Sequence, residues 1–192
     1  MKVNVKDDSS EYQATETGDV SDDLEKTVAK VLTERGMTIA AAESCTGGLI
    51  SKRLTDVPGA SKFFAGGIVA YSPSAKTATL DVDPALIKEK GAVSREVALA
   101  MADGARIKLG SDIGVGVTGI AGPESDESGL RPGTVFVALT TKDDSVCRNL
   151  HPIDLGLSGP GQVRPGRDRI RISSASHALA LILEYLSQLE RT

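Results

Sequence analysis

Two short runs of small apolar residues set the limits on what this chain can fold into. Thr38-Ile39-Ala40-Ala41-Ala42 and Ile113 to Thr118 are too brief for buried helices and read as strands covered on both faces. Helical patterning fills the stretches between such strands. Leu24, Val28, Val31 and Leu32 recur at helical spacing between Ser21 and Arg35, with Ser21 as a start cap and Gly36 as the stop. Leu49 to Leu54 resumes the pattern, and Phe64 to Tyr71 reads as another strand. Ser72-Pro73 opens a short helix, and Asp83-Pro84 opens a second that Gly91 closes. Ser94 to Leu109 is amphipathic, with Val97, Leu99, Ala100, Met101 and Ile107 as its apolar positions. Thr134 to Thr141 alternates and pairs with Ser145 to Ile153 through Lys142-Asp143-Asp144, giving a hairpin. A Gly- and Pro-rich loop, Leu155 to Gly166, leads into a long helix from Arg167 to Leu189, which offers Ile170, Ala178, Leu181, Ile182 and Leu186 for burial. Met37, Met101, Phe63 and Phe64 read as core or interface residues. Helices between strands, plus one hairpin, predict an α/β fold: a three-layer α/β/α sandwich on a mixed, mostly parallel sheet.

The chain has 192 residues, room for one ordinary domain. Residues 1–19 read as a flexible polar tail and 20–192 as a single domain. Hydrophobic residues at 40% and charged residues at 25% are the balance of a protein that buries a core. No apolar run reaches the ~20 residues of a membrane helix, and the acidic N-terminus lacks the apolar segment of a secretory signal. The expectation is a cytoplasmic protein with no membrane partner. A net charge of -4 argues against nucleic acid as a partner, because phosphate contacts need a basic face. Aromatic residues at 3%, with no Trp, also remove the platforms on which bases stack. Two cysteines, Cys45 and Cys147, and two histidines are too few for a disulfide scaffold or a four-thiolate zinc site. Neither a metal nor a cofactor is expected.

Several short stretches could carry chemistry. Gly114 to Gly119 matches GxGxxG, but the dinucleotide mechanism needs a helix to begin at that loop, and Ile120-Ala121-Gly122-Pro123 follows instead. Strand glycines that permit close packing explain it better. Ser44-Cys45-Thr46-Gly47-Gly48 places a hydroxyl at the end of a buried strand, beside helix amides that could hold an oxyanion or a phosphate. The plainer alternative is that Ser44 or Thr46 only caps the helix. Cys45 is a rival nucleophile that would need His151 or His177, or else an inert packing residue. Tyr71 and Lys76 put a phenol at a strand end and an amine one helical turn further on. If both face Ser44, Lys76 could act through Tyr71 to take the serine proton; otherwise it is a surface lysine. Arg164, Arg167, Arg169 and Arg171 form a basic cluster suited to phosphate, or a solvated face. Glu124, Asp126 and Glu127 read as a solvated loop.

In this order the fragments resemble the CinA C-terminal-domain family. The resemblance is carried by AAESCTGGLISKRLTDVPGASKFFAGGIVAYSPSAK, by GAVSREVALAMADGARIKLGSDIGVGVTGIAGP, by RPGTVFVAL and by the Arg-rich last helix, from about Leu24 to Leu189. It implies an α/β/α domain, commonly dimeric, that hydrolyses the carboxamide of nicotinamide mononucleotide in pyridine-nucleotide salvage. By motif position Ser44 is the implied nucleophile, with Tyr71 and Lys76 as its activating pair. The turn Cys45, Thr46, Gly47 and Gly48 would supply oxyanion donors and substrate contacts. Thr118 and Gly119 fall in the implied substrate site. An arginine at the start of the last helix is implied to bind substrate, Arg171 by first choice and Arg167 by second. The loop Leu155 to Gly166 is longer than the family's usual approach to that helix, which leaves the arginine alignment open. Many relatives carry a large molybdopterin-binding-like domain ahead of this one, for which 192 residues leave no room. Two other readings stand beside the amidase: a nucleotide-binding module of the same fold without turnover, and a Cys45-dependent enzyme.

Overall fold

A computed structural model describes residues 23–126, 128–152, 155 and 166–189. The expected tail, the Ser21 cap, Glu127, Arg164 and most of the stretch between Leu155 and Gly166 lie outside the described residues.

The small-residue run becomes β1 (Ile39–Glu43), the middle of one half of a five-stranded sheet ordered β2-β1-β3-β4-β5. It pairs in parallel with β2 (Phe64–Val69) and with β3 (Ile113–Gly119). β4 (Val135–Thr140) runs against both β3 and β5 (Ser145–Leu150). Four of the five strands therefore point one way. β5 stops before Ile153, since Pro152 has no N–H to give a ladder.

Strand alternation sends neighbouring β1 residues to opposite layers. Ile39 and Ala41 share a core with Val28 and Leu32 of α1 (Leu24–Arg35), Ile50 and Leu54 of α2 (Leu49–Thr55), and Ile170 and Ile182 of α6 (Arg167–Gln188). Ala40 and Ala42 face the other way. They meet Leu80 of α3 (Pro73–Leu80) and Val97 and Met101 of α5 (Arg95–Leu109), with Leu86 and Ile87 of α4 (Pro84–Lys90) packed alongside. That is the expected three-layer α/β/α sandwich on a mixed sheet.

The glycines of β3 show why the strand must be built from small residues. A Cβ on Gly114 would stand 2.0 Å from the Ala102 carbonyl oxygen, and one on Gly116 would stand 2.5 Å from that of Ala98. The backbone of α5 thus lies directly on the strand, and the GxGxxG pattern is a packing device. Gly116→Ala is expected to destabilise the fold by about 3 kcal/mol, measured by denaturant unfolding, because neither backbone can move aside.

The same close approach revises the reading of α5. Its buried face is Val97, Ala98, Met101, Ala102 and Ala105, whereas Ile107 is 62% exposed. Small residues, not the bulky ones, face a glycine strand. The chain's stops and starts follow local chemistry elsewhere. Gly36 ends α1 in the left-handed region at φ 61°, and Ser72, Asp83 and Ser94 accept the amides of Ala75, Ala85 and Val97 to start α3, α4 and α5. Every residue expected on the buried face of α6 is buried.

Candidate active site

The C-terminal ends of β1, β2 and β3 lie side by side, and the candidate residues collect there. Beyond β1 the Ser44 amide donates to the Val117 carbonyl at 2.9 Å, so Ser44 continues the strand's alternation. It therefore falls on the Ala40–Ala42 side, toward α3. Lys76 lies in the first turns of α3 and is 1% exposed. Its Nζ donates to Ser44 Oγ at 2.9 Å, to the Ala70 carbonyl at 3.0 Å and to the Tyr71 carbonyl at 3.2 Å. No carboxylate among the described residues forms an ion pair with it. Burial disfavours the ammonium form and lowers the Lys76 pKa from 10.5 to about 8. An appreciable share of this amine is a free base near neutrality. With the proton gone, the same 2.9 Å contact lets the Ser44 hydroxyl donate to Nζ.

The expected relay through the Tyr71 phenol is not what the geometry shows. β2 ends at Val69, and the carbonyls of Ala70 and Tyr71 turn toward Lys76. The amine thus bonds the Tyr71 backbone and reaches Ser44 directly. The phenol, on a residue 59% exposed, accepts a 2.7 Å hydrogen bond from Arg167 Nη2.

The amides of the turn are also arranged differently from expectation. Gly47 N–H donates to the Ser44 carbonyl at 3.1 Å, and Leu49 N–H to that of Thr46 at 3.4 Å. The amides of Gly48, Ile50 and Ser51 all donate to the Glu43 carboxylate, at 2.9, 3.1 and 2.9 Å. Gly47 and Gly48 therefore have no amide left for substrate. Their glycine character serves the turn, with φ of 59° and 98°. Within Ser44–Gly48, the amides of Cys45 and Thr46 are the two that donate to no oxygen among the described residues; the weakly accepting Cys45 sulfur is their neighbour.

The two arginines of α6 implied to bind substrate, Arg171 and Arg167, have different partners. Arg171 points inward, Nε donating to the Cys45 carbonyl at 3.2 Å and Nη2 to that of Thr46 at 3.0 Å, while Nη1 pairs with Asp168. The first-choice substrate arginine is thus engaged by the turn. Arg167 is exposed, bridging the Gly122 carbonyl and the Tyr71 phenol at 2.7 Å each. Thr118 is fully buried beside Ser44's strand partner Val117, and its hydroxyl donates to the Ala92 carbonyl at 2.9 Å. Gly119 is required by packing, since a Cβ there would lie 2.8 Å from the Thr134 carbonyl oxygen.

Residues 21–186 match the family model described as the CinA C-terminal domain. The chain belongs to the CinA family. It is 44% identical over 167 residues to a CinA-like protein of Desulfotalea psychrophila, covering 87% of this chain and 38% of that protein. It is 53% identical over 128 residues to a CinA-like protein of Geotalea uraniireducens, covering 67% of this chain and 30% of that one. The chain thus spans well under half the length of these relatives. Among solved structures, the competence/damage inducible protein CihA of Agrobacterium tumefaciens superposes with a TM-score of 0.77 at 32% identity, over 91% of this chain and 99% of the other. A CinA superfamily protein of Escherichia coli gives 0.78 at 27%, over 90% and 94%.

In this CinA domain, sequence reasoning missed Glu43. It is fully buried, and its carboxylate also accepts the Ser51 hydroxyl at 2.6 Å. The signal was an acid closing an otherwise apolar strand, five residues before the glycine that starts a helix. Cys45 of the CinA motif is buried, and desolvation pushes its thiol up to about 12 against weaker opposing hydrogen bonds from the backbone of Cys45 and Thr46. His177 Nδ1 is bonded to Ser173 within its own helix and His151 is exposed, so the thiol lacks the features of a Cys–His nucleophile. Iodoacetamide at pH 7.5 is expected to leave Cys45 and Cys147 unmodified in the folded chain and to label both in denaturant, read by intact mass. Among the described residues, no three or more His, Cys, Asp or Glu side chains gather as a metal site would require, and no helix is long and apolar enough to cross a membrane.

Proposed function

We propose that this CinA-family chain is an amidohydrolase that converts nicotinamide mononucleotide to nicotinate mononucleotide and ammonia, a step of pyridine-nucleotide salvage. The observation that carries the reading is the contact between a desolvated amine and a strand-end hydroxyl, Lys76 Nζ to Ser44 Oγ at 2.9 Å. The choice of substrate rests on the resemblance of the surrounding motifs to the CinA family.

In this mechanism the neutral Lys76 amine takes the Ser44 proton as Oγ attacks the carboxamide carbon. The tetrahedral oxyanion is received by the amides of Cys45 and Thr46, where one well-placed donor is worth about 3 kcal/mol in the transition state. Lys76 then returns its proton to the departing nitrogen, and ammonia leaves an acyl-serine. Water, deprotonated by the same amine, hydrolyses the ester and restores Ser44. The ribose 5′-phosphate falls to Arg167, the exposed guanidinium whose fork keeps donors beyond its two contacts. Tyr71 holds that guanidinium at the rim and leaves proton transfer to Lys76. No step calls on a metal or a cofactor. The reading places the enzyme in the cytoplasm as a homodimer acting on a soluble nucleotide, with neither nucleic acid nor membrane as partner.

The test is ammonia release by the purified chain from nicotinamide mononucleotide, nicotinamide riboside and free nicotinamide. Turnover of the mononucleotide in preference to the other two supports the proposal. Stabilisation of the fold by the mononucleotide, without ammonia, would replace it with the binding-module reading.

A further inference from the structure

Ser44 to Gly48 is gripped from two sides by opposite charges. The Glu43 carboxylate, wholly buried, accepts the amides of Gly48, Ile50 and Ser51 and the Ser51 hydroxyl. The Arg171 guanidinium accepts nothing and donates to the carbonyls of Cys45 and Thr46. It also packs against the turn, since a Cβ on Gly47 would lie 3.3 Å from its Nη2. Asp168 steadies the guanidinium at 3.0 Å from Nη1. Hydrogen bonds to charged groups are roughly twice as strong as neutral ones, so a segment with two left-handed glycines is held by its strongest available contacts.

We propose that Glu43 and Arg171 are positioning residues for the amide hydrolysis: one holds the turn by its amides, the other by its carbonyls, and the amides of Cys45 and Thr46 are left to meet the oxyanion. This rests on the amidase reading above and deepens it. It also separates the arginines, Arg171 acting through the turn and Arg167 on the phosphate.

A fluorophosphonate probe, which bonds its phosphorus to an activated serine Oγ with loss of fluoride, reads the turn without any nucleotide. The wild-type chain, Glu43→Gln, Arg171→Lys and the milder Ser51→Ala are compared for their rate of labelling at Ser44, by mass, across pH. Glu43→Gln and Arg171→Lys are expected to label about 30-fold more slowly or worse, and Ser51→Ala about threefold more slowly. The midpoint of the pH dependence should stay where it is in the wild type, because Lys76 is untouched; a general loosening of the fold would move it toward ordinary lysine. With nucleotide substrates, Arg171→Lys is expected to lower kcat about equally for the mononucleotide and the riboside. Wild-type labelling rates in both charged variants, or an Arg171→Lys effect confined to KM for the phosphorylated substrate, would overturn the proposal. Labelling of the wild type without ammonia release would sink the amidase reading alone. No labelling of Ser44 in the wild type would sink both.

Discussion

Lys76→Met is expected to lower ammonia release by about 10³-fold, the usual worth of a well-placed general base. The substitution keeps an unbranched side chain of similar length at a position 1% exposed and removes only the amine that touches Ser44 Oγ. Two carbonyls, those of Ala70 and Tyr71, lose their donor, which destabilises; the removed desolvation of an ammonium group offsets that loss. The net change therefore depends on pH. The folded-state pKa of Lys76 is about 8 and the reference value 10.5, so the folded chain binds the proton less well than the unfolded one. The penalty is complete below pH 8 and fades as pH rises to about 10.5, a difference of about 3 kcal/mol. Across that window the wild type should gain stability relative to Lys76→Met. Denaturant unfolding at pH 7 and pH 10 checks this apart from any activity. Equal pH dependence in the two chains would mean that the amine is solvated.

Ser44→Ala is expected to remove turnover by about 10⁴-fold or more, the scale on which loss of a covalent nucleophile is felt. Its hydroxyl is the acceptor for Lys76 in the resting site, while the Ser44 amide and carbonyl hold the strand and the turn. The backbone contacts survive the substitution. The variant should therefore fold as the wild type does and bind nicotinamide mononucleotide with a Kd within about threefold, measured by calorimetry. Retained turnover would move the chemistry elsewhere in the site.

Much of the fold could be read from the chain because its signals are local. Caps such as Ser72, Asp83 and Ser94, stops such as Gly36 and Gly91, and the small-residue strands each act within a few residues of themselves. Ile107 misled because helical periodicity marks an apolar face without saying what lies opposite. Here it is a strand of glycines, which admits alanines and turns the isoleucine outward. The site divides along the same line. Ser44 and Lys76 stood out by motif, but the direction of each polar tip depends on how β2 ends, a tertiary fact. The phenol of Tyr71 accepts from Arg167 and the guanidinium of Arg171 donates to the carbonyls of Cys45 and Thr46, partners that motif position does not reveal. Glu43 is not legible in the sequence because a buried carboxylate has meaning only with its acceptor role, and the amides that fill it come from five to eight residues away.

The most direct measurement is the pH dependence of kcat/KM for ammonia release from nicotinamide mononucleotide between pH 6 and 10. A free-base Lys76 working on Ser44 requires a single rise that levels off above about pH 8, with about a tenth of the plateau at pH 7. A profile flat through that range, or still climbing at pH 10 as a solvated lysine would make it, would contradict the buried amine as the base.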